Sequence, residues 1–303
     1  MIVSPDELLA PKLRTQLAAC LRPTHGTEVQ LGKAVEHALT NPGSLMRARL
    51  CYRIAQNFAV CDERATDLAL SVELFHTASL LFDDLPCMDD AEERRGAPCV
   101  HKLFGEGAAT LAALALVNKA YALLWRALLE APIAQRQECA EFVNQCLGLN
   151  GILNGQSHDL QFRASRFNAR NVMRVAIGKT VSMIRMTLVL PAVLGGAPAG
   201  ELVALNRLSV YWGLAYQITD DLKDVLKSST DARKTTQRDA LLGRPNIALA
   251  EGPARTSQIL GRLIGLAEKA LERAPGQTQL LAILREYQQR AANEYLEVQQ
   301  AAA

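Results

Sequence analysis

From Leu68 to Phe82 the chain is apolar on most faces of a helix, and it then turns acidic within one residue. A segment with so little polar face has to be a buried central element, so whatever this chain folds into is built around it. The stretch Ser71 to Gly105 reads SVELFHTASLLFDDLPCMDDAEERRGAPCVHKLFG, in which Asp83, Asp84, Asp89 and Asp90 follow the apolar run and Arg94–Arg95 follow the acids. Pro86 disfavours helical geometry at Leu85 and removes a donor, which predicts that Asp83 and Asp84 occupy the last turn of the helix. Carboxylates there oppose the helix macrodipole and repel one another, an arrangement that a fold tolerates where cations neutralise them.

One acidic cluster reads equally well as a solvated loop. A second one changes the balance. Downstream, AYQITDDLKDVL carries Asp220, Asp221 and Asp224, and the first and last of these share a helix face. Leu214, Ile218, Leu222 and Val225 flank them, so this acidic face borders a core. Two acid-rich helix segments, each emerging from apolar surroundings, predict one metal-filled cavity between them. Hard oxygen ligands of this kind suit Mg²⁺, which keeps several waters and binds through few carboxylates plus a substrate phosphate.

The rest of the chain reads as helix. Ser4-Pro5-Asp6-Glu7 is a capping-box start, and Pro23 marks the end of that helix. Further helices are predicted over Glu28–Leu39, Leu45–Ala59, Asp62–Asp84 (with Asp62 as cap), Ala108–Leu129, Gln135–Gln156, Asn168–Leu190, Gly200–Leu226, Ala254–Ala274 and Thr278–Gln299. No stretch alternates with period two for long enough to predict a strand. Nothing in repeat pattern or composition marks a boundary, so the expectation is a single all-α helical bundle over residues 1–303.

Lysine plus arginine total 33 against 31 acids, a net charge of +2, which gives no support to a nucleic-acid or polybasic membrane role. The seven cysteines lack paired zinc spacing and read as reduced thiols in a cytoplasmic protein. Met1 to Leu8 contains Pro5, Asp6 and Glu7, unlike a secretory signal. Apolar runs are interrupted by Asn118 and Lys119 or bounded by Arg185 and Pro191, so no transmembrane segment is expected.

These motifs, DDLPCMD with RRG in the first half and Q-x-x-DDLKD in the second, resemble those of the trans-prenyltransferases, the short-chain isoprenyl diphosphate synthases. The likeness is greatest to bacterial geranylgeranyl diphosphate synthases of the carotenoid-pathway type, and it covers nearly all the chain. It implies an all-α fold around a deep central cavity, a homodimer, and Mg²⁺, with three ions when substrate is bound. It also implies the condensation of an allylic diphosphate with isopentenyl diphosphate. By this resemblance Asp83, Asp84, Asp89, Asp220, Asp221 and Asp224 contact the metals, directly or through water. Arg94 holds the allylic diphosphate and Arg95 the isopentenyl diphosphate. Lys179-Thr180, Gln217, Lys234 and Arg244 match further substrate-binding positions. Asp159, in a G-Q-x-x-D pattern with Gln156, supports the magnesium shell. His76, two helical turns before Asp83, matches a contact to isopentenyl diphosphate, although a lone histidine on an apolar helix is more often a core residue. His101 and His158 have no assigned role.

One departure stands out. Where the family has Gly-Lys-Arg-x-Arg-Pro, this chain has Gly43-Ser44-Leu45-Met46-Arg47-Ala48. Arg47 remains and Arg49 is additional, but two residues further on it points to another helix face. Losing one charge-assisted bond costs about 1.5–3 kcal/mol, which predicts a homoallylic substrate weakened about ten- to hundredfold.

Product length should be set along the helix that ends in Asp83. Ser79 and Ala78, four and five residues back, are small where fifteen-carbon relatives commonly carry an aromatic, so Phe75, Leu116 or Tyr121 is the expected floor and C20 the expected product. The open alternatives are a terpene synthase that ionises one allylic diphosphate alone, a non-catalytic partner subunit, and a bundle whose acids bind Ca²⁺ structurally.

Overall fold

The computed structural model describes residues 5–162, 168–226, 243–272 and 278–301. These divide into two compact units, residues 5–132 and residues 133–301.

In the first unit α1 (Pro5–Cys20), α2 (Val29–Thr40), α3 (Met46–Asn57), α4 (Asp62–Asp83) and α5 (Val100–Leu128) surround a core centred on α4. From Ala65 to Ala78 every residue of α4 is buried, as expected for a helix with no polar face. The long contact between α4 and α5 is pinned by polar bonds. Ser71 Oγ donates to the Ala120 carbonyl at 2.8 Å, Arg64 Nε to the Ala127 carbonyl at 2.7 Å, and Arg126 Nε to Asp67 at 2.8 Å. Leu68, Leu74, Leu116, Leu123 and Leu124 are fully buried, each worth about 1.5–3 kcal/mol of burial.

The second unit contains α6 (Ile133–Leu147), α7 (Ile152–Leu160), α8 (Ala169–Ala176), a π-helical turn at Ile177–Val181, α9 (Ser182–Leu194), α10 (Ala199–Leu226), α11 (Ile247–Glu251), α12 (Pro253–Glu272) and α13 (Thr278–Ala301). α10 is its long central helix, and Leu205, Leu208, Ile218 and Leu222 are buried at helical spacing along it. Leu214, Ile218 and Leu222 pack with Val172, Val181, Ile247 and Leu260 in one core beneath the second acid cluster.

The all-α expectation holds, with local corrections. Cys61 rather than Asp62 is the N-cap of α4, and Asp62 opens its first turn, where a carboxylate still favours the positive end of the helix dipole. The helix predicted over Gln135–Gln156 is two, because Gly151 lies so close to the end of α6 that a Cβ there would sit 1.9 Å from the Cys146 carbonyl oxygen. The helix predicted from Ala108 begins at Val100 and is broken at Gly105, whose φ of +83° suits glycine. Glu93–Arg94 and Ala97–Pro98 form a two-residue antiparallel ladder (β1 and β2) that no periodicity announces.

Against expectation, two helices are long and apolar enough to cross a membrane by length and composition, Val100–Leu128 and Ala169–Leu194. Within the second, 72% of the apolar window is buried inside the protein. The first turns Leu111, Leu114, Tyr121 and Trp125 outward along one face.

Candidate active site

The end of α4 is tied down by its own loop. Asp89 N donates to the Asp83 carbonyl at 2.9 Å, Ala91 N to the Asp84 carbonyl at 3.1 Å, and Met88 N to the Leu85 carbonyl at 2.9 Å. Pro86 stops the helix and these amides take over the orphaned carbonyls, which returns Asp89 beside the Asp83–Asp84 end. Asp83 is the last residue of α4 and half-buried; Asp84 is its C-cap and 3% exposed.

A carboxylate that deep needs a partner. Arg94, on β1, supplies it: its Nη2 lies 2.5 Å and its Nε 3.0 Å from Asp84 Oδ1. Burial works against the Arg94 charge, but the Asp84 carboxylate outweighs it and holds the guanidinium protonated. The Cys99 thiol also meets Asp84, and burial followed by that carboxylate pushes it up to about 12.

Next to this pair is a cation-rich corner. Arg47, near the start of α3, is buried and lies 3.1 Å through Nη1 from His76 Nε2. A guanidinium has no acceptor, so Arg47 donates and the imidazole is neutral with its proton on Nδ1. Burial, then Arg47, Arg95 and Arg94, drive the His76 pKa well below its ordinary value. Glu73, one turn before His76 on α4, is 2% exposed and accepts from the Ala48 amide at 3.3 Å. It stands in for the capping side chain that Leu45, the left-handed N-cap of α3, does not provide. Burial raises the Glu73 pKa while Arg47 and Arg95 oppose the rise. The motif reading missed Glu73, although a glutamate in an otherwise apolar helix was a visible signal.

Arg95, at a positive φ of 56°, donates through Nη1 to the Asn41 carbonyl at 3.1 Å, and Asn41 Nδ2 returns a bond to the Arg95 carbonyl at 3.0 Å. Its guanidinium lies flat against Gly43, where an added Cβ would be 3.0 Å from Arg95 Cζ. Gly43 itself has φ +74°, so only glycine suits both its backbone and its neighbour. Of the predicted chain-length residues, Ala78 and Phe75 are buried and Ser79 is half-buried, its hydroxyl turned back to the His76 carbonyl at 2.8 Å. The Phe75 ring meets Tyr121 of α5 edge-on, with centroids 4.9 Å apart at 80°.

In the second unit the π turn carries Lys179 and Thr180, and close glycine contacts hold it on two sides. A Cβ on Gly155 of α7 would be 2.2 Å from the Lys179 amide nitrogen, and one on Gly213 of α10 would be 2.7 Å from Val181 Cγ2. π turns often mark functional sites; no periodicity foretold this one, though glycine at 155, 178 and 213 was its trace. The approach of α7 pairs Lys179 Nζ with buried Asp159 at 2.8 Å, and Arg244 Nη1 meets the Asp159 carbonyl at 3.3 Å.

Thr180 Oγ1 donates to Gln217 Oε1 at 2.6 Å, and Gln217 Nε2 donates to Asp221 Oδ1 at 2.9 Å. The Ile247 amide donates to Asp221 Oδ2 at 2.8 Å. Asp221, 2% exposed, therefore has protein donors on both oxygens. Asp220 is half-buried and Asp224 buried. Lys234 lies outside the described residues. The first unit thus carries Asp83, Asp84, Asp89, Arg94, Arg95, Arg47 and His76, and the second links Thr180, Gln217 and Asp221 in one chain and Lys179, Asp159 and Arg244 in another, with Asp220 and Asp224 on α10 beside Asp221.

Comparison with known proteins adds the family. Residues 28–277 match the model described as Polyprenyl synthetase. A geranylgeranyl diphosphate synthase of Pantoea ananas is 32% identical over 256 residues, covering 84% of this chain and 83% of that protein. A chloroplastic geranylgeranyl pyrophosphate synthase 3 of Arabidopsis thaliana is 30% identical over 79% of this chain and 68% of its own. The fold matches a Helicobacter pylori geranyltransferase, solved with magnesium and isoprenyl diphosphate, at a TM-score of 0.82 and 24% identity, over 98% of this chain and 99% of that one. With that fold, and with the family match running through both acid clusters, this chain belongs to the polyprenyl synthetase family.

Proposed function

We propose that this protein condenses an allylic diphosphate with isopentenyl diphosphate, releasing diphosphate and forming geranylgeranyl diphosphate (C20). The observation that carries this reading is the cation-rich corner of the first unit, where Arg47 and Arg95 gather around a neutral His76 beside the acid-bearing end of α4. An enzyme that only ionises one allylic diphosphate has no use for a second anion site of that kind. The relatives named geranylgeranyl diphosphate synthase, matched over most of the chain, support the same reading.

The donors fit Mg²⁺. Asp83, Asp89, Asp220 and Asp224 offer carboxylate oxygen, and among the described residues no three Asp, Glu, His or Cys side chains form a ready-made cage. Mg²⁺ is held in just that way, by one or two carboxylates, water and substrate phosphate. We assign these four acids, with Asp84 and Asp221, to the metals, directly or through water, with three ions when substrate is bound; Asp84 also holds Arg94, and Asp221 holds Gln217. Bound Mg²⁺ screens the diphosphate and stabilises it as a leaving group.

The chain's own side chains do the remaining work. Arg94 grips the allylic diphosphate; Arg95, Arg47 and His76 grip that of isopentenyl diphosphate. Lys179, Thr180, Gln217, Lys234 and Arg244 are assigned to substrate binding. The allylic C–O bond breaks, the isopentenyl double bond forms the new C–C bond, and the proton lost from that unit goes to the freed diphosphate. Positioning and electrostatics suffice, with no protein nucleophile. Ala78 and Ser79 leave room along α4, and the Phe75–Tyr121 contact is the floor.

We place the enzyme in the cytoplasm as a homodimer. All seven cysteines are free thiols, and a second copy covers the outward Leu111, Leu114, Tyr121 and Trp125. The test is product chromatography with labelled isopentenyl diphosphate and C5, C10 or C15 starters. We expect C20 product from the purified protein with Mg²⁺, and a shorter product from Ala78→Tyr. Allylic turnover without uptake of label would make the enzyme a terpene synthase; no turnover at all would make it a partner subunit. Unchanged product length in the Ala78 variant would remove the floor from α4.

A further inference from the structure

We infer that Arg14, on α1, supplies the positive charge at the homoallylic diphosphate site that Ser44 and Leu45 do not. This deepens the prenyl-transfer reading and rests on it. Arg14 Nη2 donates to the Gly43 carbonyl at 2.9 Å, and the Arg95 guanidinium packs on the α-carbon side of that same glycine. Two guanidinium groups therefore meet at one residue, at the head of the very loop whose lysine and first arginine are missing. Leu45 is no substitute, since it is buried and caps α3 in a left-handed conformation. Arg49 is two positions along α3 from Arg47 and belongs to another face.

The neighbouring acids are committed elsewhere. Asp84 is paired with Arg94, and Glu73 accepts from the Ala48 amide under the influence of Arg47 and Arg95. Arg14 is exposed, and the Gly43 carbonyl is its partner among the described residues. A carbonyl neutralises no charge and occupies one of its several N–H donors, so the rest can grip phosphate oxygens. A dianionic diphosphate spanning Arg14 and Arg95 is gripped by a guanidinium from each side of Gly43. The Gly43 carbonyl fixes where Arg14 stands, doing from α1 what the absent motif residues would do from the loop.

The test is Arg14→Gln, alone and combined with Ser44→Lys. The single variant should raise KM for isopentenyl diphosphate about tenfold, as loss of one charge-assisted bond implies, and leave KM for the allylic substrate unchanged. The lysine at 44 should bring the KM back. A merely structural Arg14 would shift both KM values and would not be rescued by that lysine. Calorimetry with isopentenyl diphosphate and no added metal reads the same site without turnover. Tenfold weaker binding in Arg14→Gln keeps the inference even if the wild type fails to condense substrates, an outcome that would overturn the prenyl-transfer reading alone. Wild-type condensation with unchanged KM and affinity in Arg14→Gln overturns the inference and leaves that reading intact.

Discussion

The two acid clusters are built on one plan and tied to the protein through different donors. In each, the first aspartate of the pair is half-buried (Asp83, Asp220) and the second is sealed in protein, Asp84 at 3% exposure and Asp221 at 2%. Asp84 is paired with the charge of Arg94, and Asp221 accepts from the Gln217 side chain and the Ile247 amide. The first arrangement trades charge for charge and fails if one partner goes. The second joins the carboxylate to a side-chain amide and a backbone amide, and ties α10 to the π turn through Thr180. One half fixes a guanidinium beside its acids; the other fixes the scaffold between α10 and the π turn.

That contrast breaks first at the outer acids. Asp83→Asn and Asp220→Asn should each lower kcat by about 10²–10³, the usual result of removing one electrostatic stabiliser, with the melting temperature nearly unchanged because both are half-buried. Steady-state kinetics alongside thermal melts would check this. If Asp83 mattered and Asp220 did not, the two clusters would not share a task.

Arg94→Ala should cost about 2–4 kcal/mol in urea unfolding, toward the low end for a broken buried pair because Arg94 is 34% exposed. Asp221→Asn should cost less, about 1.5–3 kcal/mol, since the Ile247 amide keeps an acceptor and one charge-assisted bond is lost. Equal losses in the two variants would mean that the Arg94 pair and the amide donors of Asp221 hold their carboxylates equally firmly.

The smallest effect is with pH. Burial, with the nearby arginines, lowers the His76 pKa below its ordinary 6.5, so between that value and the folded one the unfolded chain binds a proton that the native state refuses. Stability must therefore fall as pH falls through and below about 6.5, and return above it. His76→Gln should remove this part of the slope in denaturation curves taken from pH 7 to 5. A slope that survives the substitution would assign it to another group.

Much of the site was legible because helix chemistry is local. Pro86 stopping α4 at the acids, the four-residue spacing of Asp220 and Asp224, and the doublet Arg94–Arg95 are visible in a short window. The partners of Glu73 and Arg14 were not, since they lie 25 and 29 residues away. The π turn escaped for a related reason: it is imposed by two glycine contacts from other helices rather than by its own five residues.

The sequence by itself determined the helical class, the buried central helix and the two acid-ended segments, because apolar periodicity and proline act through covalent geometry and the nearest turn. Which aspartate of each pair is buried, which cation stands at Gly43, and that His76 is neutral were decided by tertiary structure alone. Burial and electrostatic pairing depend on what the fold brings within a few ångströms, and the order of residues along the chain does not carry that distance.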